Sequence, residues 1–365
     1  MSIPFRFARR LEVNTKRSTS YRISGAIAGL FLSGLLLLIT SRNPIRLLGQ
    51  SLDAIFGSQR GIEGVMVQSI PILMCAIGVA LSLRMKVWNI GSDGQFLMGA
   101  FAAVGVGIKV DAPHWLLIIL MALAASIAGA AWILVPALAR AYWGVNEIIT
   151  TLLLNFVALQ LVLWSALGFW RDKKSQVTQS TESVDAVLPR FPGLNSVSIA
   201  FIAPLLLAVV LWFVFRSTRV GYEIDMIGGN ANAASFAGIN VPRRIVTVML
   251  LTGAIAGFGG MLQLTGAPGA QALSGGFSNR FGLSGFIVAA LAGASFAGVL
   301  VAGLFISAMF YAGIALQTKG LSVYIIFGVY GVVLVGIAVG ETMARFRLAR
   351  VEQPAVTAPA AEVSA

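Results

Sequence analysis

Apolar runs long enough to cross a bilayer recur along almost the whole chain, and they constrain the fold more than any single motif does. A window of about 20 residues suffices for a transmembrane helix. Ten can be marked, at 23–40, 64–83, 91–108, 115–137, 147–169, 197–216, 244–264, 282–298, 299–317 and 321–340. The third, eighth and ninth are short or interrupted by Gly and polar residues. Lipid offers the backbone no hydrogen-bond partners, so runs of this length demand helices. The expected fold is an all-α polytopic membrane protein with about ten transmembrane helices, some short or broken.

Of 365 residues, 58% are hydrophobic and 11% charged, against about 25% charged in an ordinary soluble domain. The net charge is +12. The basic residues flank the apolar runs, which ties them to the membrane surface rather than to nucleic acid. With the N-terminus in the cytoplasm, 16 of the 26 Lys and Arg fall on the inner side, the sign that the positive-inside rule requires. Both termini are then expected to be cytoplasmic. Residues 1–22 read as an N-terminal segment with six Lys/Arg and no cleavable signal peptide. Residues 23–340 read as the transmembrane domain, and 341–365 as a cytoplasmic tail whose Pro/Ala-rich end is expected to be disordered. Two long polar connections stand out, 170–196 on the outer side and 217–243 on the inner side.

Several functions are disfavoured. The chain lacks a GxxxxGK[ST] phosphate loop, so it is not expected to bind ATP by that route. A single Cys (Cys75) and a single His (His114) point to neither an intrachain disulfide nor a metal centre. No Ser/His pair suggests membrane-embedded catalysis. A self-sufficient ion-coupled transporter usually needs buried carboxylates. Only Asp93 and Glu147 qualify, and the span boundaries put both near the inner face.

Polar residues at membrane depth are costly and so face protein or a cavity. Glu147, Thr151 and Asn155 follow i, i+4, i+8 spacing and share one stripe. Asn146 and Glu147 also suit the N-terminus of that helix as cap and dipole partner. Asn155 is a candidate either for substrate or for an interhelical hydrogen bond, and the same choice applies to Gln68, just before Pro71. Gly25/Gly29 and Gly253/Gly257 have the four-residue spacing of closely packed helices. The stretch "RMKVWNIGSDGQFLMGA" (84–100) interrupts two apolar runs with Asn89, Gly91, Asp93 and Gln95. Irregular polar backbone survives at such a place only when protein or water covers it. It reads as a cytoplasmic turn feeding a broken or re-entrant helix, a feature that often lines transport paths.

Four segments, in order, resemble a known family. "NIGSDGQFLMGA" resembles the NIGxEGQ signature of permease subunits from bacterial ABC importers for branched-chain amino acids, simple sugars and nucleosides. "GVNEIITTLLLNF" (144–156) resembles a segment of the nucleoside and sugar branch, and "FGLSGFIVAALAG" (281–293) another family stretch. "GGNANAASFAGINVPRR" (228–244) resembles the family's cytoplasmic coupling segment. The resemblance implies a pore subunit in the bacterial inner membrane that binds no cofactor itself. ATP and magnesium would belong to partner ATPase subunits. A second permease, in a heterodimer by preference with a homodimer as the alternative, and an extracytoplasmic binding protein would complete the assembly.

On that reading Gly229, Asn230, Ala233, Ala234, Phe236 and Gly238 dock the ATPase. Asn89, Gly91, Asp93, Gln95 and Glu147 are gate or hinge candidates. Gln68, Asn155, Ser284 and Phe286 are substrate-path candidates, although Phe286 also suits plain packing. The favoured substrate is a purine-type nucleoside, with a pentose or hexose as the alternative. Two positions depart from the family: Asp93 stands where Glu is usual, and Asp225 where Arg is frequent, which reverses a charge in the coupling segment.

Overall fold

The computed structural model describes residues 5–9, 15–39, 43–173, 179–293 and 295–350. Apart from one short strand pair, every regular element among them is helical. In order they are β1 (Phe5–Arg9), α1 (Thr15–Ile39), α2 (Pro44–Phe56), α3 (Gln59–Arg84), α4 (Ser92–Lys109), α5 (His114–Trp143) and α6 (Glu147–Leu167). Then follow a 3-10 turn at Ile199–Phe201, α7 (Ile202–Ser217), α8 (Arg219–Gly229), α9 (Ala231–Phe236), α10 (Val241–Gly266), α11 (Phe281–Ala292), α12 (Phe296–Thr318), α13 (Val323–Arg345) and β2 (Phe346–Arg350).

Local chemistry sets the boundaries. Ser58, Asn146, Asn240 and Ser295 accept backbone N–H groups at the starts of α3, α6, α10 and α12, relieving donors that helix geometry leaves unpaired. Gly144 and Gly293 stop α5 and α11 in the left-handed region, at φ 65° and 62°, where a side chain is disfavoured.

Seven helices are long and apolar enough to cross a membrane, or up to eight if 23–39 and 44–56 together make one bent span. Ten full-length spans are therefore not found among the described residues. The window at 91–108 became α4, whose polar first turn keeps it out of the seven. The window at 282–298 became the 12-residue α11, about 18 Å long and too short to span. Helix α2 was not anticipated. It places Leu47 and Ile55 inward while Ile45, Leu48 and Leu52 stay exposed.

The chain divides into two compact units, residues 1–44 with 324–365 and residues 45–323. In the first, α1 packs on α13 through small residues. A Cβ at Gly25 would overlap the carbonyl oxygen of Gly336, and one at Gly336 would overlap that of Gly25. Ser33 Oγ donates to the carbonyls of Gly29 (2.8 Å) and Val329 (3.3 Å). Strands β1 and β2 pair antiparallel, with Phe5 opposite Arg350. Residues 346–350 form β2, and the Pro/Ala-rich end expected to be disordered, 351–365, lies outside the described residues.

In the second unit, α3, α4, α5 and α10 form the centre, with α11 and α12 against α3. Helices α5 and α10 approach closely because Gly129, Gly253 and Gly257 leave no side chains between them; a Cβ at Gly257 would strike the Ala125 carbonyl. Connections gather at two opposite ends. At one end Leu188 N donates to Thr265 O (2.8 Å), Thr181 N to Leu273 O (2.9 Å), and Ser196 N to Glu63 Oε2 (2.8 Å). The polar connection from 170 is therefore tied to the 265–274 segment. The other end holds the start of the 85–91 segment, 144–146 and α8–α9, and the connection 217–243 contains these two short helices.

Gly257→Val is expected to separate α5 from α10 and cost about 1–3 kcal/mol or more through overpacking. In contrast, Gly49→Ala, where a Cβ meets nothing within 4 Å, is expected to be neutral or to stabilise by up to about 1 kcal/mol. Thermal unfolding of the two variants in detergent compares these outcomes directly.

Candidate functional site: a polar re-entrant segment between helices

The chain leaves α3 at Arg84 and does not turn straight into another full helix. Met85–Gly91 runs back into the bundle before α4 begins at Ser92. Its depth follows from α11. A Cβ on Gly285 would press on Cys75, and one on Gly282 on the Asp93 backbone nitrogen. Asp93 therefore lies about one helical turn from the level of Cys75. Cys75 itself lies nine residues before the end of α3, about 14 Å along the axis. Asp93, with Gln95 in the same turns of α4, thus sits deep in the bundle rather than near the end where the span boundaries put it, while Glu147 opens α6 beside 144–146.

Backbone at that depth needs partners, and side chains supply them. Trp88 N donates to Glu147 Oε1 (3.1 Å), and Glu147 Oε2 pairs with Arg140 Nε (3.3 Å). Asn89 Oδ1 accepts from Gly91 N (3.0 Å). The amides of Asn89 and Gln95 pair reciprocally, at 3.1 and 2.9 Å. From α6, Asn155 Nδ2 donates to Ile90 O (3.0 Å) while its Oδ1 accepts from Gly94 N (2.8 Å). Asn89 and Gln95 are essentially sealed, at 0% and 1% exposure. An apolar core here would leave several N–H and C=O groups unmet, at about 1–3 kcal/mol each.

Asp93 closes the arrangement from the other side. Its carboxylate accepts from Gly282 N (2.9 Å) and Ser278 Oγ (3.1 Å). It belongs to the first turn of α4 and faces the first turn of α11, so the positive ends of two helices converge on one acidic side chain. The turn that delivers α11 is strained: Asn279 and Arg280 have φ of 41° and 59°, a region that non-glycine residues seldom occupy.

The remaining candidates fall in three places. Phe286 packs on Trp88, with ring centroids 6.0 Å apart, and Ser284 is half-buried on the same helix. Gln68 lies seven residues before Cys75 on α3, and its Oε1 has no hydrogen-bond partner among the described residues. The coupling candidates lie at the end of the unit that carries residues 85–91. Asn230 caps α9 by accepting from Asn232 N and Ala233 N (3.0 and 3.2 Å), and Gly238 has φ 82°. Ala234 is fully buried under α9, Phe236 is 94% exposed, and Gly229 and Ala233 are exposed. The sequence reading missed Arg140, Trp88, Ser278 and Gly282. Only Gly282 carried a local signal, a glycine at the start of an apolar helix. Among the described residues no three His, Cys, Asp or Glu gather to hold a metal ion.

Asn155→Leu is expected to strip Ile90 and Gly94 of their partners and lower the unfolding temperature along with transport. An Asn155 that merely touched substrate would lower transport alone, so parallel unfolding and uptake measurements separate the two roles.

Comparison with known proteins agrees with this architecture. A family model described as the permease component of the branched-chain amino acid transport system matches residues 61–338. A glucose ABC transporter permease protein of Haloferax volcanii, TsgB13, is 34% identical over 67% of this chain and 67% of its own length. A guanosine ABC transporter permease protein of Bacillus subtilis, NupP, is 30% identical over 73% of this chain and 77% of its own. A nucleoside ABC transporter permease protein of Lactococcus lactis, NupB, is 26% identical over 77% and 80%. No solved structure matches this chain. With a family model covering most of its length and the polar segment and most of the spans inside that match, the chain belongs to the permease-component family of branched-chain amino acid transport systems, a class of ABC importer permeases.

Proposed function

We propose that this chain is a pore-forming subunit of an ATP-driven importer in a bacterial inner membrane and that its substrate is a nucleoside, purine-type first. The observation that carries the substrate choice is the pair of relatives named for guanosine and nucleosides, which align over 73% and 77% of the chain. The glucose permease, more similar in identity at 34%, supports a simple sugar as the second reading. Both substrates ask for a few well-placed polar groups in an otherwise apolar path.

The end holding α8 and α9 is the cytoplasmic one on this reading, as the Lys/Arg bias requires. The chain carries no phosphate loop, so ATP and magnesium belong to partner ATPase subunits that dock on α9. Phe236 is the exposed apolar knob for that docking. Gly229, Asn230, Ala233 and Gly238 shape the turns around it, while buried Ala234 seats α9 on the bundle. A second permease, different from this chain, and an extracytoplasmic binding protein complete the assembly. Asn89, Gly91, Asp93, Gln95 and Glu147 form the hinge of the path, and Gln68, Ser284 and Phe286 lie along it.

The cognate binding protein is expected to hold guanosine at least about a hundredfold more tightly than glucose, since a site built around hydrogen-bonding groups strongly rejects ligands that leave them unpaired. Calorimetry with both ligands decides it, and a preference for glucose selects the second reading. In proteoliposomes, uptake should require the ATPase and the binding protein; ion-driven uptake by this chain alone would refute the importer assignment.

Phe236→Ala should lower ATP-driven uptake about tenfold, within the usual span of coupling between distant sites, without changing membrane insertion or unfolding temperature. Unaltered uptake would remove α9 from the docking surface.

A further inference from the structure

We propose that the ion pair between Arg84 and Asp225 is a positioning link that carries movement of α8 and α9 into the re-entrant segment. The inference rests on the reading of α9 as the ATPase-docking element. Arg84 is the last residue of α3 and stands directly before Met85–Gly91. Its Nε lies 3.1 Å from Asp225 Oδ1 and its Nη2 3.4 Å from Oδ2, so the guanidinium faces both carboxylate oxygens. The same guanidinium lies over the rings of Phe215 and Phe296, at 4.3 and 5.6 Å from their centroids. One side chain thereby joins α3, α7, α8 and the start of α12.

Two further contacts tie α8 to the same stretch. Lys86 Nζ donates to Gly229 O (3.4 Å), and Lys86 holds a left-handed φ of 58°. The backbones also touch at Gly228, where a Cβ would run into the carbonyl oxygen of Arg84. The end of α8 therefore cannot shift far without moving Arg84–Lys86 or parting from them. From Lys86 the chain passes within three residues to Asn89 and within seven to Asp93.

Helix α8 has a second ion pair of different character. Glu223 is buried and accepts from Arg244 Nε and from Arg219 Nε (2.8 Å). The Arg244 hydrogen bond, with that of Arg219, holds the Glu223 carboxyl below its ordinary range against the opposing cost of burial. Breaking a buried pair of this kind is costly, so Glu223 anchors α8 to α10. The Arg84–Asp225 pair is more open, with side-chain exposures of 27% and 49%. It borders a 410 Å³ groove lined also by Leu83, Lys86, Trp212 and Phe296. An exposed pair adds little to stability. An anchored helix with an open, weakly stabilising link beside free space has the mechanics of a lever. Asp225 thus has its charge partner inside the chain.

The test uses the complete importer in proteoliposomes, with ATP hydrolysis and uptake of guanosine and glucose measured together. Arg84→Asp and Asp225→Arg, each placing like charges together, should lower transport per ATP hydrolysed about tenfold, a usual magnitude for coupling between sites, with unfolding temperature and ATPase binding unchanged. The exchanged double variant, Arg84→Asp with Asp225→Arg, should recover most of the ratio. Asp225→Asn serves as the milder variant should a charge reversal block assembly, and it should lower the same ratio. An unchanged ratio in the single variants or in Asp225→Asn, a double variant no better than either, or loss of ATPase binding in Asp225→Asn would each overturn the link. The Phe236→Ala result judges the docking surface separately: uncoupling there beside a normal ratio in the Arg84 and Asp225 variants would keep the docking reading and discard the link.

Discussion

The non-helical backbone between Arg84 and Ser92 is the constraint on which the rest of the second unit depends. Inside a bilayer such backbone survives only if protein satisfies it. Three side chains do so directly, Asn89, Glu147 and Asn155, and Gln95 holds the Asn89 amide in place. They come from the segment itself, from α4 and from α6, so none of these elements can be repositioned alone without exposing unpaired groups. At about 1–3 kcal/mol for each group left unmet, losing two or three contacts would consume much of a typical folding stability of about 5–15 kcal/mol. The glycine contacts among α4, α5 and α10 serve the same end, because they bring the helices close enough to cover the segment.

Asp93 gives this arrangement a direction. It caps α11 from outside, through Gly282 N and Ser278 Oγ, while belonging to the first turn of α4. Separating the two helices would leave the carboxylate and the α11 N-terminus uncompensated in low dielectric, where unpaired charge is most expensive. The less costly displacement moves α4 and α11 together. Strain at Asn279 and Arg280 is stored at the point where α11 joins that contact.

The sequence disclosed what depends on residue type and spacing. Long apolar runs announced most spans, Gly25/Gly29 and Gly253/Gly257 announced close helix packing, and the polar island at Asn89–Gln95 announced an interruption between helices. What it could not disclose depends on partners distant in the chain. The depth of Asp93 is set by Gly282, 189 residues away, and no local pattern encodes that distance. Asn155 has the same composition whether it binds a ligand or a backbone; only the approach of Ile90 and Gly94 distinguishes them. Helix α8 was hidden because its buried face includes Gly221, Glu223 and Gly228, which hydropathy counts as loop. The charge partner of Asp225 was equally hidden, since Arg84 lies 141 residues earlier in the chain.

This accounting also narrows where a polar substrate can be held. An amide or carboxylate committed to the fold cannot turn to a ligand without leaving its own partner unmet. Asn89, Gln95 and Asn155 use both ends of their amides, and Asp93 uses both oxygens. Gln68 differs, since its Oε1 has no hydrogen-bond partner among the described residues, and the same holds for Gln263 Oε1 on α10. Contacts near Gly78 and Thr252, and near Met74 and Gly259, fix α3 and α10 as an antiparallel pair. Continued toward the other end, that register brings Gln68 and Gln263 to similar heights, within about two turns. Of the amides and carboxylates singled out in the sequence, Gln68 is therefore the one with an oxygen not committed to the fold. A second amide at that height on the neighbouring helix suits a ligand offering hydroxyl or ring donors.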